Sequence, residues 1–322
     1  MKRFAKKALP LAVAAAMIPG FAAAEGAMVN GFADIGYTIK NDSATTTEGL
    51  FLANGELDIT AAPADGVSVR MDIDVGLATD AAASSVNLEQ AYFAWGATEG
   101  VTVLGGLFNN PIGAEAEDTT DVSFTTKGVV YNTLNHQTTL YGDSVAGLAA
   151  AAAVGPATIT VAYLDDLQLT PEENSIAVVV NASPIEGLDV EFGYATQDND
   201  VPANGGAGDV TNINLSYATP VEGLSVGLDY LMPAEVMDSA YEISANYAMG
   251  AIGFGLRFEG VTYAEGDEET NSRTTINVSY QVASNLLARL EMADGTVDET
   301  QVTGIDGIAA DNTTTLQLIA SF

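Results

Sequence analysis

The sequence predicts an all-β fold, a closed, up-and-down antiparallel transmembrane β-barrel of about 16 strands. Three observations predict it. Apolar and polar residues alternate along most of the chain, and short Pro/Gly turns alternate with longer acidic connections. In addition, no stretch beyond the N-terminal segment reaches the roughly 18 consecutive apolar residues that a membrane-spanning helix needs.

The N-terminus has the pattern of an export signal. Residues 1–7 carry four basic side chains, residues 8–21 are largely apolar, and A-A-A-E-G (22–26) offers small residues for cleavage after Ala24. We therefore expect residues 1–24 to be a cleaved signal peptide and residues 25–322 to form the barrel.

Composition excludes several classes of function. The formal net charge is −33, so the chain would repel nucleic-acid phosphates and we expect no nucleic-acid partner. The sequence contains no cysteine, which excludes disulfides, thiolate metal sites and thiol nucleophiles. The stability of an exported chain without disulfides then has to come from the fold itself.

Alternation is clearest in V-S-V-R-M-D-I-D-V-G-L (67–77), where the odd positions are apolar and most even positions are polar. A period of two indicates a strand with one apolar and one polar face. The same pattern recurs at 50–60, 188–194, 211–217, 241–247, 252–259, 275–282 and 286–292.

A soluble β-sandwich would also show alternating apolar and polar residues along its strands. The lengths of the connections favour a barrel over that alternative. Near-copies of one turn occur at 61–69, 182–190 and 218–226, with a shorter version at 96–103. Between them lie longer connections, so we predict sixteen strands, seven tight turns at one end and eight long loops at the other. In lipid every backbone N–H and C=O needs a partner, so the sheet should close. The predicted long connections are 41–48, 78–85, 108–137, 165–174, 196–210, 232–238, 264–273 and 293–312.

The polar face predicts an inner wall in contact with water, because a carboxylate is costly against lipid. Its excess of acidic residues predicts a preference for cations, the alternative being a solvated wall with little selectivity. The predicted pore-lining residues are Glu56, Asp58, Arg70, Asp72, Asp74, Arg257, Glu259, Arg289 and Glu291.

The run 89–115, and G-G-L-F-N-N-P-I-G (105–113) within it, resembles bacterial outer-membrane porins of the β-barrel porin families. The terminal Phe322, preceded by alternating apolar residues, resembles the signal by which the barrel-assembly machinery recognises such chains. The resemblance implies a water-filled channel for small hydrophilic solutes in the outer membrane of a Gram-negative bacterium. It also implies contact with lipid and lipopolysaccharide, and a homotrimer.

In general porins the loop after the fifth strand folds inward and narrows the channel, which here implies an inward loop at 108–137. Its candidate constriction residues are Glu115, Glu117, Asp118 and Asp121, unless the loop is an acidic surface loop instead. General porins also carry an arginine cluster on the wall facing that loop, whereas this chain is poor in basic residues.

Alternatives to a channel remain open. A non-conducting barrel could serve in adhesion or as a structural surface protein, and an outer-membrane hydrolase would have to use His136, the single histidine. We predict no catalytic site and no cofactor. We also predict no dedicated metal site, because the acidic stretches 266–269 and 294–299 lack the spacing of a calcium loop. The small residues Val145, Gly147, Ala149, Ala151 and Ala153 are predicted to face outward, where they could form a subunit interface.

Overall fold

A computed structural model describes residues 26–40, 49–77, 84–116, 118–138, 144–165, 174–196, 209–233, 237–263, 271–295 and 312–322. The predicted signal peptide lies outside the described residues.

The described chain forms sixteen strands and one short helix, α1 (Val129–Thr138). Within the described residues, no helix is long and apolar enough to cross a membrane. The strands are β1 (Met28–Lys40), β2 (Leu50–Ala64), β3 (Val67–Leu77), β4 (Ser84–Thr98), β5 (Val101–Asn109), β6 (Ser144–Val154), β7 (Ala157–Asp165), β8 (Asn174–Ile185), β9 (Leu188–Ala195), β10 (Val210–Ala218), β11 (Leu224–Pro233), β12 (Met237–Met249), β13 (Ile252–Tyr263), β14 (Asn271–Ala283), β15 (Leu286–Gly295) and β16 (Thr313–Ser321).

The sheet closes on itself. Each strand pairs antiparallel with its neighbours in sequence, and β1 pairs with β16 from Phe32↔Ser321 to Lys40↔Thr313. The pairing continues one residue further, because the N–H of Phe322 donates to the carbonyl oxygen of Gly31 at 3.0 Å and the N–H of Gly31 donates back at 3.3 Å. Closure leaves no unpaired edge, as the hydrocarbon environment requires. The predicted sixteen-strand barrel is confirmed.

Tight turns and longer connections alternate largely as predicted. Six of the seven turns contain two residues, and several use a glycine with positive φ, such as Gly66 (φ 72°) and Gly187 (φ 79°). One pair departs from the prediction: the turn between β10 and β11 spans residues 219–223, whereas the connection between β11 and β12 spans only 234–236. Strands β11 and β12 run further into the predicted loop than their alternation indicated.

Side-chain exposure confirms the two faces of the strands. Along β13, Phe254 and Phe258 are 41% and 47% exposed, whereas Arg257 is 1% exposed. Along β16, Leu316 and Leu318 are exposed and Gln317 is buried. Apolar side chains therefore face outward, toward the lipid that stabilises them, and charged side chains face the interior.

The predicted outward face of β6 is wrong. Ala149 pairs with Leu104, whose side chain is fully buried inside the barrel, so Ala149 also points inward. On the neighbouring positions Leu148 and Val154 are 57% and 55% exposed, which places the even-numbered residues toward lipid. Because both faces of β6 carry small residues, the two faces hardly differ in polarity. The pairing with β5 therefore shows which face points inward. The residues assigned outward that are instead buried are Val145, Ala149 and Ala151.

One part of the barrel interior is apolar and packed. Inward residues of β4 to β13, Phe108 and Val145 among them, form a buried cluster with Ile112, Val130 and Leu134. These last three residues come from the connection between β5 and β6 and from α1. Burial of this apolar surface stabilises the position of that connection inside the barrel.

Candidate functional site

The candidate functional site is the inner wall of the barrel together with the connection that lies against it. We call residues 110–116 and 118–138 the inward segment. At its start the N–H of Ile112 donates to Oδ1 of Asn110 at 3.1 Å, a local turn that directs the chain away from β5. Ile112 then lies beside Gly193 of β9, where a Cβ atom would come within 3.0 Å of Ile112 Cγ1. The absence of a side chain at Gly193 therefore makes room for the inward segment.

Three arginines on consecutive strands hold the inward segment by its backbone. Arg257 of β13 donates from Nη2 to the carbonyl oxygen of Thr126 at 2.6 Å. Arg273 of β14 donates to the carbonyl oxygen of Lys127 at 2.5 Å, and Arg289 of β15 donates to that of Val122 at 2.7 Å. Because the guanidinium group is rigid and always charged, each of these contacts fixes the direction as well as the position of a peptide group.

Two carboxylates of the same wall accept hydrogen bonds from the inward segment. Glu291 accepts from the N–H groups of Thr125 and Thr126, both at 2.7 Å. Glu259 accepts from the N–H of Val129 at 2.8 Å. Val129 is the first residue of α1, so the negative charge of Glu259 also lies at the positive end of the helix dipole.

The charges of this wall compensate one another. Glu259 bonds Arg273 at 2.8 Å and lies 3.1 Å from Nε of Arg257, which also approaches Glu115 at 3.7 Å. The ring of Phe124 lies 4.6 Å from the guanidinium carbon of Arg257, a cation–π contact. Arg257, Glu259 and Arg273 are at most 3% exposed. Buried charges of this kind are tolerated when they are paired and hydrogen-bonded.

Further polar contacts extend the attachment. Asn277 donates to the carbonyl oxygen of Ser123 at 2.9 Å, and Gln317 donates to Oγ1 of Thr119 at 3.0 Å. A hydrogen bond with one charged partner contributes about 1.5–3 kcal/mol net, and a neutral one about 0.5–1.5 kcal/mol. The inward segment is therefore a fixed part of the barrel along β13 to β16.

A second, acidic part of the wall lies on β2, β3 and β4. Arg70 donates to Asp58 at 2.7 Å and to Asp72 at 2.6 Å, and Asp72 also accepts from Gln90 at 2.7 Å. Glu56 lies opposite Asp74 in the pairing of β2 with β3. These three strands contain one basic residue, Arg70, and so this wall is strongly negative.

The structure divides the predicted pore-lining residues between these two walls. Those on β2 and β3 belong to the acidic wall, where Asp58 and Arg70 remain 21% and 26% exposed. Those on β13 and β15 are covered by the inward segment and contact it. Whether either set lines the path of a solute stays a prediction. The covered residues are Arg257, Glu259, Arg289 and Glu291.

The predicted constriction residues take different positions along the inward segment. Glu115 accepts a hydrogen bond from the N–H of Gly128 at 2.7 Å, which ties the two arms of the segment together. The carbonyl oxygen of Asp118 accepts from the N–H of Asp121 at 3.0 Å, forming a turn between the arms. The carboxylate of Asp118 lies next to Glu56 on the acidic wall. Glu117 lies outside the described residues.

Comparison with protein families decides what kind of barrel this is. The family model for Gram-negative porins matches residues 11–300. The chain belongs to the Gram-negative porin family. As a member of this family it is a channel protein of the outer membrane, and family and fold are those of channels and not of enzymes.

Solved porins share the fold of this porin at low sequence identity. Two variants of the Rhodopseudomonas blastica porin match it with TM-scores of 0.63 and 0.61, at 15% and 16% identity. In each comparison the match covers 92% of this chain and 100% of the other. Comparison with curated proteins gave no match.

Sequence reasoning missed two charged residues of the porin's inner wall, Arg273 and Glu89. The predicted connection 264–273 places Arg273 in a loop, although Arg273, Thr275 and Asn277 lie on one alternating face of β14. Extending the alternation by two residues would have found it. Glu89 was missed because β4 contains a bulge: Asp72 pairs with Gln90 but Ile73 pairs with Leu88, leaving Glu89 as an extra residue.

Other predicted features fall wholly or partly outside the described part of the chain. His136 belongs to α1, but the position of its side chain is not among those described. The acidic stretch 266–269 lies outside the described residues, as do residues 296–299 of the stretch 294–299.

Proposed function

We propose that this porin conducts small hydrophilic solutes and ions by passive diffusion and that it favours cations. The acidic wall of β2 to β4 supports the preference, because Glu56, Asp58, Asp72 and Asp74 are balanced by a single arginine. Fixed negative charge raises the local concentration of cations and lowers that of anions. Transport of this kind uses no cofactor and no catalytic residue.

The inward segment is the proposed constriction. Its attachment to β13 through β16 supports this role, since a segment held at many points can define a passage of fixed width. Glu115, Asp118 and Asp121 then add negative charge near the narrowest part. Asp118 is the best placed of them, because it approaches the acidic wall at Glu56.

Biogenesis and assembly follow the family in this proposal. Residues 1–24 are a cleaved signal peptide that exports the chain. Phe322 is recognised by the barrel-assembly machinery, and its pairing with Gly31 supports a role of this residue in closing the sheet. The finished barrel contacts lipid and lipopolysaccharide and assembles as a homotrimer, for which β6 no longer supplies the argument.

Planar-bilayer recording tests the proposal. With a salt gradient of KCl across the membrane, we expect stable open steps and a reversal potential of the sign that indicates K⁺ over Cl⁻. A reversal potential that indicates Cl⁻ would contradict cation preference. Membranes that contain folded barrel yet show no steps would favour the non-conducting adhesion or structural barrel.

A further inference from the structure

Three acidic side chains from adjacent strands converge at one point of the acidic wall. Glu56 of β2, Asp72 of β3 and Glu89 of β4 each offer a carboxylate oxygen, and these oxygens all lie within 4.8 Å of one another. The three residues are 3%, 0% and 4% exposed. Like charges that are buried together repel one another, so the cluster requires compensation.

The backbone builds this cluster through the bulge in β4. Asp72 lies opposite Gln90, and the next pair along β3 is Ile73 with Leu88. Glu89 is therefore the additional residue of the bulge, and both Glu89 and Gln90 are buried on the inner side. A regular strand would have pointed one of the two toward lipid. Bulges re-aim side chains in this way at functional sites.

A buried oxygen of Glu56 points to a missing ligand. Oε1 of Glu56 is inaccessible to solvent and has no hydrogen-bond partner within the described part of the chain. The neighbouring cation, Arg70, is already bonded to Asp58 and Asp72. On its other side Glu56 meets the carboxylate of Asp118, and Asp74 lies opposite Glu56 in the pairing of β2 with β3.

We propose that Glu56, Asp72 and Glu89 bind a Ca²⁺ ion. Carboxylate oxygens are the ligands of hard divalent cations, and Ca²⁺ accepts six to eight oxygens at about 2.3–2.6 Å in flexible geometry. One such ion can reach oxygens that lie within 4.8 Å of one another. Mg²⁺ demands a near-ideal octahedron at about 2.0–2.1 Å, which three side chains fixed on separate strands satisfy poorly.

The ion has a structural consequence for the barrel. Asp118 lies at the turn of the inward segment, whereas Arg257, Arg273 and Arg289 hold the arm that follows this turn against β13, β14 and β15. A cation at Glu56 attracts the Asp118 carboxylate, so that the turn is held to β2 while the arm that follows it is held to β13 through β15. This inference does not depend on whether the barrel conducts.

Equilibrium dialysis with radioactive Ca²⁺ tests the site on the folded barrel in detergent. We expect one saturable site per chain, and at least a tenfold loss of affinity in Glu56→Gln and in Glu89→Gln. The matched control is Asp189→Asn, which removes one acidic side chain from β9, where its carboxylate accepts from Ser183. The control should bind Ca²⁺ as the unmodified barrel does.

Several outcomes would overturn the proposal. Absence of saturable binding to the unmodified barrel would do so, as would equal affinity in Glu56→Gln, Glu89→Gln and Asp189→Asn. Competition by Mg²⁺ at equal concentration would overturn the choice of calcium. Folding of each variant is checked by heat-modifiable migration in gels. If Glu56→Gln does not close the barrel, Glu89→Gln alone decides.

Discussion

The guanidinium of Arg257 donates a hydrogen bond to the carbonyl oxygen of Thr126 at 2.6 Å, joining residues that lie 131 positions apart in the sequence. It is one of three such contacts from consecutive strands. Through them the wall of the barrel and the inward segment form one packed structure.

Replacing Arg257 with alanine should loosen the inward segment. The change removes the bond to Thr126 and leaves Glu259 and Glu115 with less positive charge nearby. Breaking a buried pair of this kind costs about 3–5 kcal/mol of folding free energy. We expect larger and noisier single-channel conductance and a lower urea midpoint of unfolding.

Arg70→Ala is the control for conductance, because Arg70 bonds the wall carboxylates Asp58 and Asp72 instead of the inward segment. It removes the same charge from the acidic wall instead of from the wall that holds the inward segment. If both alanine variants changed the conductance noise equally, the arginine contacts to the inward segment would not be its cause.

Deleting residues 112–126 should increase single-channel conductance. The deletion removes the part of the inward segment that lies against β11 through β16, and so widens any passage that this part narrows. A deletion of equal length at 297–311, in the connection between β15 and β16, provides the control. An unchanged conductance after the first deletion would argue against a constriction.

Neutralising Asp58 and Asp74 together should weaken cation preference. Neither side chain is fully buried, so both can act on ions in the bore, and removing two charges should lower the K⁺/Cl⁻ permeability ratio by about twofold. Asp65→Asn, an exposed change in the turn between β2 and β3, tests for a general effect of charge. The prediction fails if the permeability ratio of the double variant equals that of Asp65→Asn.

Gly31→Ala should impair closure of the barrel. A Cβ atom at Gly31 would lie 2.1 Å from the backbone oxygen of Glu56, and φ at this position is +157°. Overpacking of this kind lowers the free energy of unfolding by about 1–3 kcal/mol. The clash would lie at the point where Gly31 pairs with Phe322 and closes the sheet. We expect a smaller folded fraction in heat-modifiability gels.

Gly36→Ala on the same strand is the matched control for closure. There the nearest atom to a new Cβ would be Cγ2 of Thr315, at 3.9 Å. Its folded fraction should equal that of the unmodified barrel. An equal loss in both variants would point to β1 in general and not to the contact of Gly31.

The strands could be predicted because each strand has lipid on one side and the barrel interior on the other, which makes apolar and polar residues alternate. Leu256, Arg257 and Phe258 show the contrast in three residues, and the sequence alone assigns their faces correctly. The contrast disappears in the alanine run of β6, and there alternation predicts the wrong face for Ala149. Alternation also fails at the bulge, where Glu89 and Gln90 share a face.

The site was harder to predict than the strands. The bond between Arg289 and Val122 joins residues 167 positions apart, and no local pattern connects them. Sequence could place Arg289 on the inner wall, but it could not show that a backbone carbonyl group would cover it. Arg273 was missed for a simpler reason: the predicted strand begins at residue 275, whereas β14 begins at Asn271.

The wall grips the inward segment mainly through its peptide groups: the carbonyls of Val122, Ser123, Thr126 and Lys127, and the N–H groups of Thr125, Thr126 and Val129. Peptide groups are the same whatever residue carries them. Side chains at positions held through the backbone can thus be redesigned to alter which molecules are admitted, whereas Phe124, Thr125 and Thr126 also contact the wall through their side chains and are best left unchanged.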